Sequence, residues 1–378
     1  MKPKTIAIVA NWDWVIYNFR LPLAKSLADS GLQVVLVCPP GEYTAQLQAT
    51  GFPLVLWKLN RRSTNPFSEL SSLLELIRIY RDNAFDAVHH FTVKPILYGS
   101  IAARIANVPI AINNFTGLGY LFSSSLLARF LRTLLLPLYR LALNARSTHT
   151  IFQNPAVRDE LIRRKVVTPQ RTSIIAGTGV DLSKFETNAR QKGDTPKVLM
   201  AARLLADKGV GEYVHAARIL REKGHSVDFL LAGKADYGNP AAISEKQLQD
   251  WREQSNVQFL GHHSDMPALL KDVDLAVLPS YHEGVPLFLL EAAAASLPIV
   301  ATDIEGNRAV VQEGVNGYLV PPRDAQGLAE AIENLLEDES LRRELGRASR
   351  RIAKERFNAD LINQQYLEIY RRLGILAS

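Results

Sequence analysis

Glu283 and Glu291 stand eight residues apart in the stretch SYHEGVPLFLLEAAAASLPIV, and the second lies inside the apolar run LFLLEAAAASL. A lone carboxylate there would be costly or would give up its charge. One use for it is bidentate: two acceptor oxygens can take two vicinal hydroxyls, as on a ribose. The alternative is a buried ion pair with an arginine. Gly284 and Pro286 suit a turn from the strand DLAVL into a helix, whose first backbone N–H groups are a seat for phosphate or a sugar hydroxyl cluster. Upstream, AARLLADKG places Arg203 and Lys208 just beyond the strand KVLMA. An arginine fork and a lysine point charge in one loop can neutralise a diphosphate without a metal. As isolated residues they read equally well as surface cations.

Positioning these groups takes open parallel sheets. Short β-branched runs alternate with amphipathic segments of helical length, the pattern of βα units. The candidate strands are TIAIVA, QVVLVCP, PLVLW, DAVHHF, IAINNF and THTIFQN, then KVLMAAR, VDFLLAG, VQFLG, DLAVLPS, PIVATD and GYLV. ETNARQKGDT (Glu186–Thr195) reads as the linker between two sheets. We therefore place one Rossmann-like domain at residues 1–185, completed by a C-terminal helix at about 358–378, and a second at 193–357. At 378 residues the chain has room for two domains of roughly 150–200 residues. Ligands of such sheets bind outside the strand carboxyl ends.

Composition excludes several classes. The single cysteine, Cys38, forms neither an internal disulfide nor a metal cluster, which fits a reducing cytoplasm. The start MKPKTIAIVANWDW is too short in apolar core for a signal peptide, and no uninterrupted apolar run is long enough to span a bilayer. A nicotinamide enzyme is ruled out: the first strand is followed by NWDWVIYNFR, with no glycine fingerprint, and no P-loop appears. Charge is uneven. Residues 1–180 hold 20 Lys+Arg against 9 Asp+Glu, a balance of +11, which leaves −5 for the rest of a +6 chain. No acid occurs between Asp86 and Asp159. Such asymmetry calls for an anionic partner.

The ordered set ARLLADKGVGEYVHAARIL, LAGKAD and VQFLGHHSDMPALLKDVDLAVLPSYHEGVPLFLLEAAAASLPIVATDIEGNRAVVQEGVNGYLVPPRDAQGLAEAI resembles the C-terminal half of retaining glycosyltransferase family 4. GTGVDLSKF and FQNPAVRDEL extend the resemblance over nearly the whole chain. It implies an α/β GT-B fold: two Rossmann-like domains facing a cleft, with the C-terminal helix crossing back to the first. It also implies that Arg203 and Lys208 hold a donor diphosphate and Glu291 the ribose. Glu283, with the amides of Gly284 and Val285, would hold the transferred sugar. Members work without a bound metal and retain the anomeric configuration, so no cofactor is expected. Catalysis would rest on positioning and on stabilising the departing diphosphate.

DAVHHFTVKPILYGSIAAR, INNFTGLGYLF and YNFRLPLA resemble the bacterial subgroup that extends sugars on undecaprenyl-diphosphate carriers. That implies a UDP-sugar donor, a lipid-linked sugar acceptor, an anionic membrane surface on the inner face of the cytoplasmic membrane, and no nucleic acid. YNFRLPLA departs from the Gly-Gly pair of many members, so Asn18 and Arg20 are the candidates for phosphate contact there. The resemblance implies a functional histidine near the end of the fourth strand; His89 and His90 both fit, His90 with Lys94 is the candidate of the two, and a structurally satisfied histidine is an equal alternative. Gly117 and Gly119 suit close backbone approach to donor or acceptor, or simply a tight turn.

In LLARFLRTLLLPLYRLALNAR, Arg129, Arg132, Arg140 and Arg146 share one broad helical face and the leucines the other, with a kink expected at Pro137. Such a helix can pack on the sheet, lie on anionic lipid with Arg129, Arg132 and Arg140 as contacts, or do both. Three rivals stand beside the lipid-linked transfer: a transferase for a soluble acceptor, a non-catalytic nucleotide-sugar binder and a nucleotide-sugar epimerase. Retention of Arg203, Lys208, Glu283 and Glu291 speaks against the second, and the Glu-x7-Glu context against the third. EAAAASLPIV departs from the family's more usual Met- and Gly-containing form.

Overall fold

The computed structural model describes residues 3–61, 63, 65–115, 126–185, 195–237, 239 and 241–377, with backbone alone for 126–134. The chain divides into two units: residues Met1–Ala176 with Ile362–Ser378, and Gly177–Leu361. Gly177–Phe185, expected with the first domain, thus groups with the second. The reason is local: Val180 bridges to Asn358, and Arg350 donates to the carbonyls of Leu182 and Phe185. The linker at Glu186–Thr195 lies outside the described residues apart from Thr195.

The first unit carries a seven-stranded parallel sheet made of β1 (Thr5–Ala10), β2 (Gln33–Cys38), β3 (Leu54–Leu56), β4 (Ala87–Phe91), β5 (Ile110–Phe115), β6 (Thr148–Phe152) and β7 (Thr172–Ile174). Its order is β3-β2-β1-β4-β5-β6-β7, so the winding reverses between β1 and β4. All twelve expected strands are present; β7 is a short addition. Parallel strands covered on both faces read as continuous apolar runs, and in β1 every residue after Thr5 is buried. Helices open where caps allow: Asn65 accepts from Phe67 N–H ahead of the helix Pro66–Asn83, and Asn154 accepts from Ala156 and Val157 N–H ahead of Pro155–Arg163. The last helix, Ala359–Arg372, places Ile362, Tyr366, Ile369 and Tyr370 in the core beside β1 and β4.

The second unit carries β8 (Lys197–Ala201), β9 (Asp228–Ala232), β10 (Val257–Gly261), β11 (Leu275–Leu278), β12 (Ile299–Thr302) and β13 (Gly317–Val320). The order is β10-β9-β8-β11-β12-β13, with all registers parallel and the reversal between β8 and β11. Ligands of open parallel sheets bind outside the strand carboxyl ends, at such a reversal. Arg203 and Lys208 follow β8; Glu283 and the helix Leu287–Ala294 follow β11. Topology thus brings the two loops that carry these residues to the same edge of the sheet. The helix Leu126–Leu143 runs through Pro137 without interruption.

Candidate active site

Two loops meet at the β8/β11 reversal and are tied together by backbone. Tyr281 N–H donates to Asp207 O at 2.8 Å. Gly209 has φ 73, and a Cβ there would overlap Pro279 O, so only glycine lets the two loops close on each other. Lys208 Nζ lies 2.7 Å from Glu283 Oε1, with each side chain 15% exposed. A diphosphate candidate and the sugar candidate are thus one ion pair. Tyr281 reinforces the loop: its hydroxyl donates to Glu212 at 2.5 Å, and the Arg323 guanidinium lies 4.8 Å from its ring centroid. Burial and the Glu212 bond push the Tyr281 phenol up to about 12.

Arg203 goes elsewhere. It is 59% exposed and lies 3.3 Å from Asp236, on the loop after β9. Gly284 and Val285 are partly exposed, and their amides donate to no backbone carbonyl among the described residues. They are open donors at the entrance of the helix Leu287–Ala294, where the N–H groups of Leu289 and Leu290 already turn back to Pro286 O. Gly306, in the DIEGNR segment, packs directly on the carbonyls of Glu283 and Gly284, which brings that segment against the sugar candidate. Beneath it, Asn307 donates to Thr302 O and Oγ1, and Thr302 Oγ1 donates to Ser280 O.

Glu291 is the residue for which ordinary packing gives no explanation. Its helix neighbours Leu289, Leu290, Ala292, Ala293 and Ala294 are fully buried, while its own side chain keeps a partial opening to solvent. Among the described residues its carboxylate makes no hydrogen bond and no ion pair. The buried arginine pair weighed from the sequence is absent: Arg350, beside this helix, donates instead to the carbonyls of Ala294, Phe185 and Leu182. Burial pushes the Glu291 carboxyl up to about 8. An acceptor without donors, open to one side, matches a ligand bearing hydroxyl donors.

The N-terminal candidates separate differently. His90 is fully buried, with Nε2 2.9 Å from Tyr80 Oη and Nδ1 2.7 Å from Asn113 Oδ1. Gly99 packs against its ring, and burial lowers it to about 4. Both ring nitrogens are spent on the core, so His90 offers a substrate nothing. Lys94 is not its companion: it pairs with Glu69 at 2.7 Å and donates to Asn60 O and Ser63 O. His89 points to the other face of the sheet, where Nδ1 meets Tyr370 Oη at 2.5 Å and Nε2 has no partner among the described residues. Burial and nearby Arg20 lower it strongly.

Arg20 is 2% exposed, stacked 4.1 Å over the Phe91 ring and bonded to Tyr366, with Nε unpartnered among the described residues. Asn18 is exposed and turns back to Trp14 O at 3.0 Å. Gly117 and Gly119 lie outside the described residues, as do the side chains of Arg129 and Arg132. Arg140 is exposed but donates twice to Arg164 O. Sequence reasoning missed Tyr366, Tyr370 and Asn114, which lock the last helix to the first sheet; only their helical spacing gave a sign of it. It also missed His225, Glu333 and Glu337, whose ligand-capable atoms lie within 4.8 Å of one another. Glu333 there already pairs with Lys223 at 2.5 Å and His225 at 2.7 Å, and His225 precedes β9 at the amino edge, away from the loops that follow β8 and β11.

Comparisons with known proteins agree with this geometry. Residues 182–352 match the family Glycosyl transferases group 1, and residues 5–154 match Glycosyl transferase 4-like. The chain is 31% identical over 371 residues to the N,N'-diacetylbacillosaminyl-diphospho-undecaprenol alpha-1,3-N-acetylgalactosaminyltransferase of Campylobacter jejuni, covering 95% of this chain and 96% of that one. It is 28% identical to the Escherichia coli UDP-Gal:alpha-D-GlcNAc-diphosphoundecaprenol alpha-1,3-galactosyltransferase, over 74% of each. Among solved structures it superposes on Anabaena HepE in complex with UDP and glucose with a TM-score of 0.79, at 21% identity over 98% and 100% of the two chains. It also matches WaaG, a glycosyltransferase of lipopolysaccharide biosynthesis, with a TM-score of 0.71 at 16% identity over 96% and 99%. The chain belongs to the group 1 glycosyltransferases, and its two Rossmann-like units are those of the GT-B fold.

Proposed function

We propose that the protein transfers a hexose or N-acetylhexosamine from a UDP-sugar to a polyprenyl-diphosphate-linked saccharide, with retention of anomeric configuration and without a resident metal. The observation that carries the donor half is Glu291: a carboxylate with no donor among the described residues, on the helix that follows β11 of the sheet reversal. It takes the two ribose hydroxyls. The Lys208–Glu283 pair opens when substrate enters: Lys208, with Arg203 swung from Asp236, takes the diphosphate, and Glu283 turns to the hydroxyls of the transferred sugar. The open amides of Gly284 and Val285 add donors at the point where charge builds on the leaving diphosphate. No side chain in this set is poised as a base-activated nucleophile, which suits displacement on the same face of the sugar.

The acceptor half rests on the two lipid-carrier relatives and on the basic first half of the chain. The enzyme then works at the cytoplasmic membrane surface. A metal-free binding titration with UDP, GDP and ADP, on the wild type and on Arg203→Ala/Lys208→Ala, tests the donor site. Selective UDP binding lost in the double variant is expected; no binding of any nucleotide would leave a non-catalytic protein. Transfer to an undecaprenyl-diphosphate sugar, with the product anomer read by NMR, tests the rest.

A further inference from the structure

We propose that the helix Pro66–Asn83 is the membrane-seating surface of the first unit, with Phe67, Leu70 and Leu74 entering the interface and Arg78 and Arg81 resting on anionic headgroups. The proposal deepens the lipid-linked reading and rests on it. Phe67 is 84% exposed, Leu70 54% and Leu74 58%, and Leu56 of the adjoining edge strand β3 is 44% exposed. At 100° per residue, Phe67, Leu70, Leu74, Arg78 and Arg81 fall within about 80° of one another. They make one stripe, apolar for two turns and then basic. The opposite side of the helix is ordinary core, with Leu76, Ile77, Ile79 and Tyr80 buried.

Large apolar side chains aligned on one exposed face are not expected of a surface that meets only water. Charge selects the occupant. Residues 56–83 carry five Lys+Arg against three acids. Glu69 is paired with Lys94, and Glu75 accepts from Lys58 N–H. Asp82 lies 3.4 Å from Arg78 in a pair exposed on both sides, too weak to hold the arginine from a phosphate. An apolar stripe with cationic flanks fits an anionic lipid surface, where each arginine adds attraction and each apolar group adds burial. Position agrees. The helix starts after β3 and ends before β4, so its apolar half lies at the carboxyl edge of the sheet, the edge at which such folds bind ligands. The helix Leu126–Leu143 runs in the same sense, from β5 to β6, but its Arg140 is committed to Arg164.

The test is co-sedimentation with vesicles of phosphatidylglycerol and phosphatidylethanolamine, with no substrate present. Phe67→Ser/Leu70→Ser/Leu74→Ser should weaken partitioning by about tenfold or more, since three side chains no longer leave water. Transfer to a short-chain, water-soluble prenyl-diphosphate sugar should stay unchanged. Phe67→Trp, which keeps the surface apolar, should bind as the wild type does and shift its emission to the blue on vesicles. Equal sedimentation of the triple variant, or an unshifted tryptophan, overturns the proposal. So does a dimer that the triple variant loses while vesicle binding persists. A wild type that sediments but transfers to no lipid-diphosphate acceptor would refute the function while leaving the seating surface standing.

Discussion

Glu291→Gln changes one proton-binding oxygen in a packed helix and separates the cost of that carboxylate from its use. In the ligand-free protein burial pushes the group up to about 8, against 4.5 for a free glutamate. A folded value above the unfolded one means that the folded chain holds more protons between those limits. Stability therefore falls as pH rises from about 4.5 to 8, with the full penalty present above 8. The shift corresponds to a ceiling of about 5 kcal/mol. Partial contact with solvent and local relaxation reduce that to about 1–3 kcal/mol. Glu291→Gln should then raise the melting temperature at pH 8.5 by roughly 2–10 °C and leave it nearly unchanged at pH 5. Nucleotide binding should run the other way. Two ribose hydroxyls need both oxygens as acceptors, which only the ionised form supplies. At pH 7 a group titrating near 8 is about nine-tenths protonated, so binding UDP should release close to one proton. Calorimetry in buffers of different ionisation enthalpy reads that number directly, and UDP affinity should climb by up to about tenfold per pH unit between 6 and 8. A pH-independent affinity without proton release, or a glutamine variant that binds UDP as tightly as the wild type, would refute the assignment.

The Lys208–Glu283 pair should be costly to halve and cheaper to delete. Lys208→Met should lower stability by about 2–4 kcal/mol by stranding a largely buried carboxylate, and adding Glu283→Leu should recover much of it in denaturant titration. In the same site Glu283→Gln should reduce kcat far more than UDP affinity; equal losses of both would undo the separation of sugar and nucleotide roles. His90→Leu should cost about 2–4 kcal/mol, because Tyr80 and Asn113 each lose a buried partner, yet kcat of the folded protein should hold within about threefold. A hundredfold loss of kcat with an unmoved melting temperature would return His90 to catalysis.

How far a chain can be read depends on whether the information is local. The twelve strands were legible because each lies in an apolar run bounded by turn or helix signals, and most are buried along their length, whereas β7, Thr172–Ile174, reads TSI and carries no such run. Lys208 and Glu283 could be placed together from the sequence because each follows a strand of the β8/β11 reversal closely, whereas Arg203, equally close to β8, turns away to Asp236. The contact each side chain makes was not legible. Lys208 and Glu283 are 75 positions apart and His89 and Tyr370 are 281 apart, and no spacing rule spans such a gap. The same limit explains the histidines. In β4 successive side chains face opposite ways, so His89 and His90 share an address in sequence and nothing in space. One belongs to the layer of Tyr366 and Tyr370, the other to the layer of Tyr80 and Asn113, and each is consumed by its layer. Arg20 fell to this too: beside Asn18 it read as a loop cation, but the last helix returns over β4 and buries it against Tyr366. Glu291 went the other way. Its type and setting posed a question of balance, a charge without a visible partner, and the folded chain leaves that question unanswered by any arginine. An open acceptor that no side chain among the described residues fills is what the proposed ribose contact uses, and its residue type and apolar setting are both local features of the sequence.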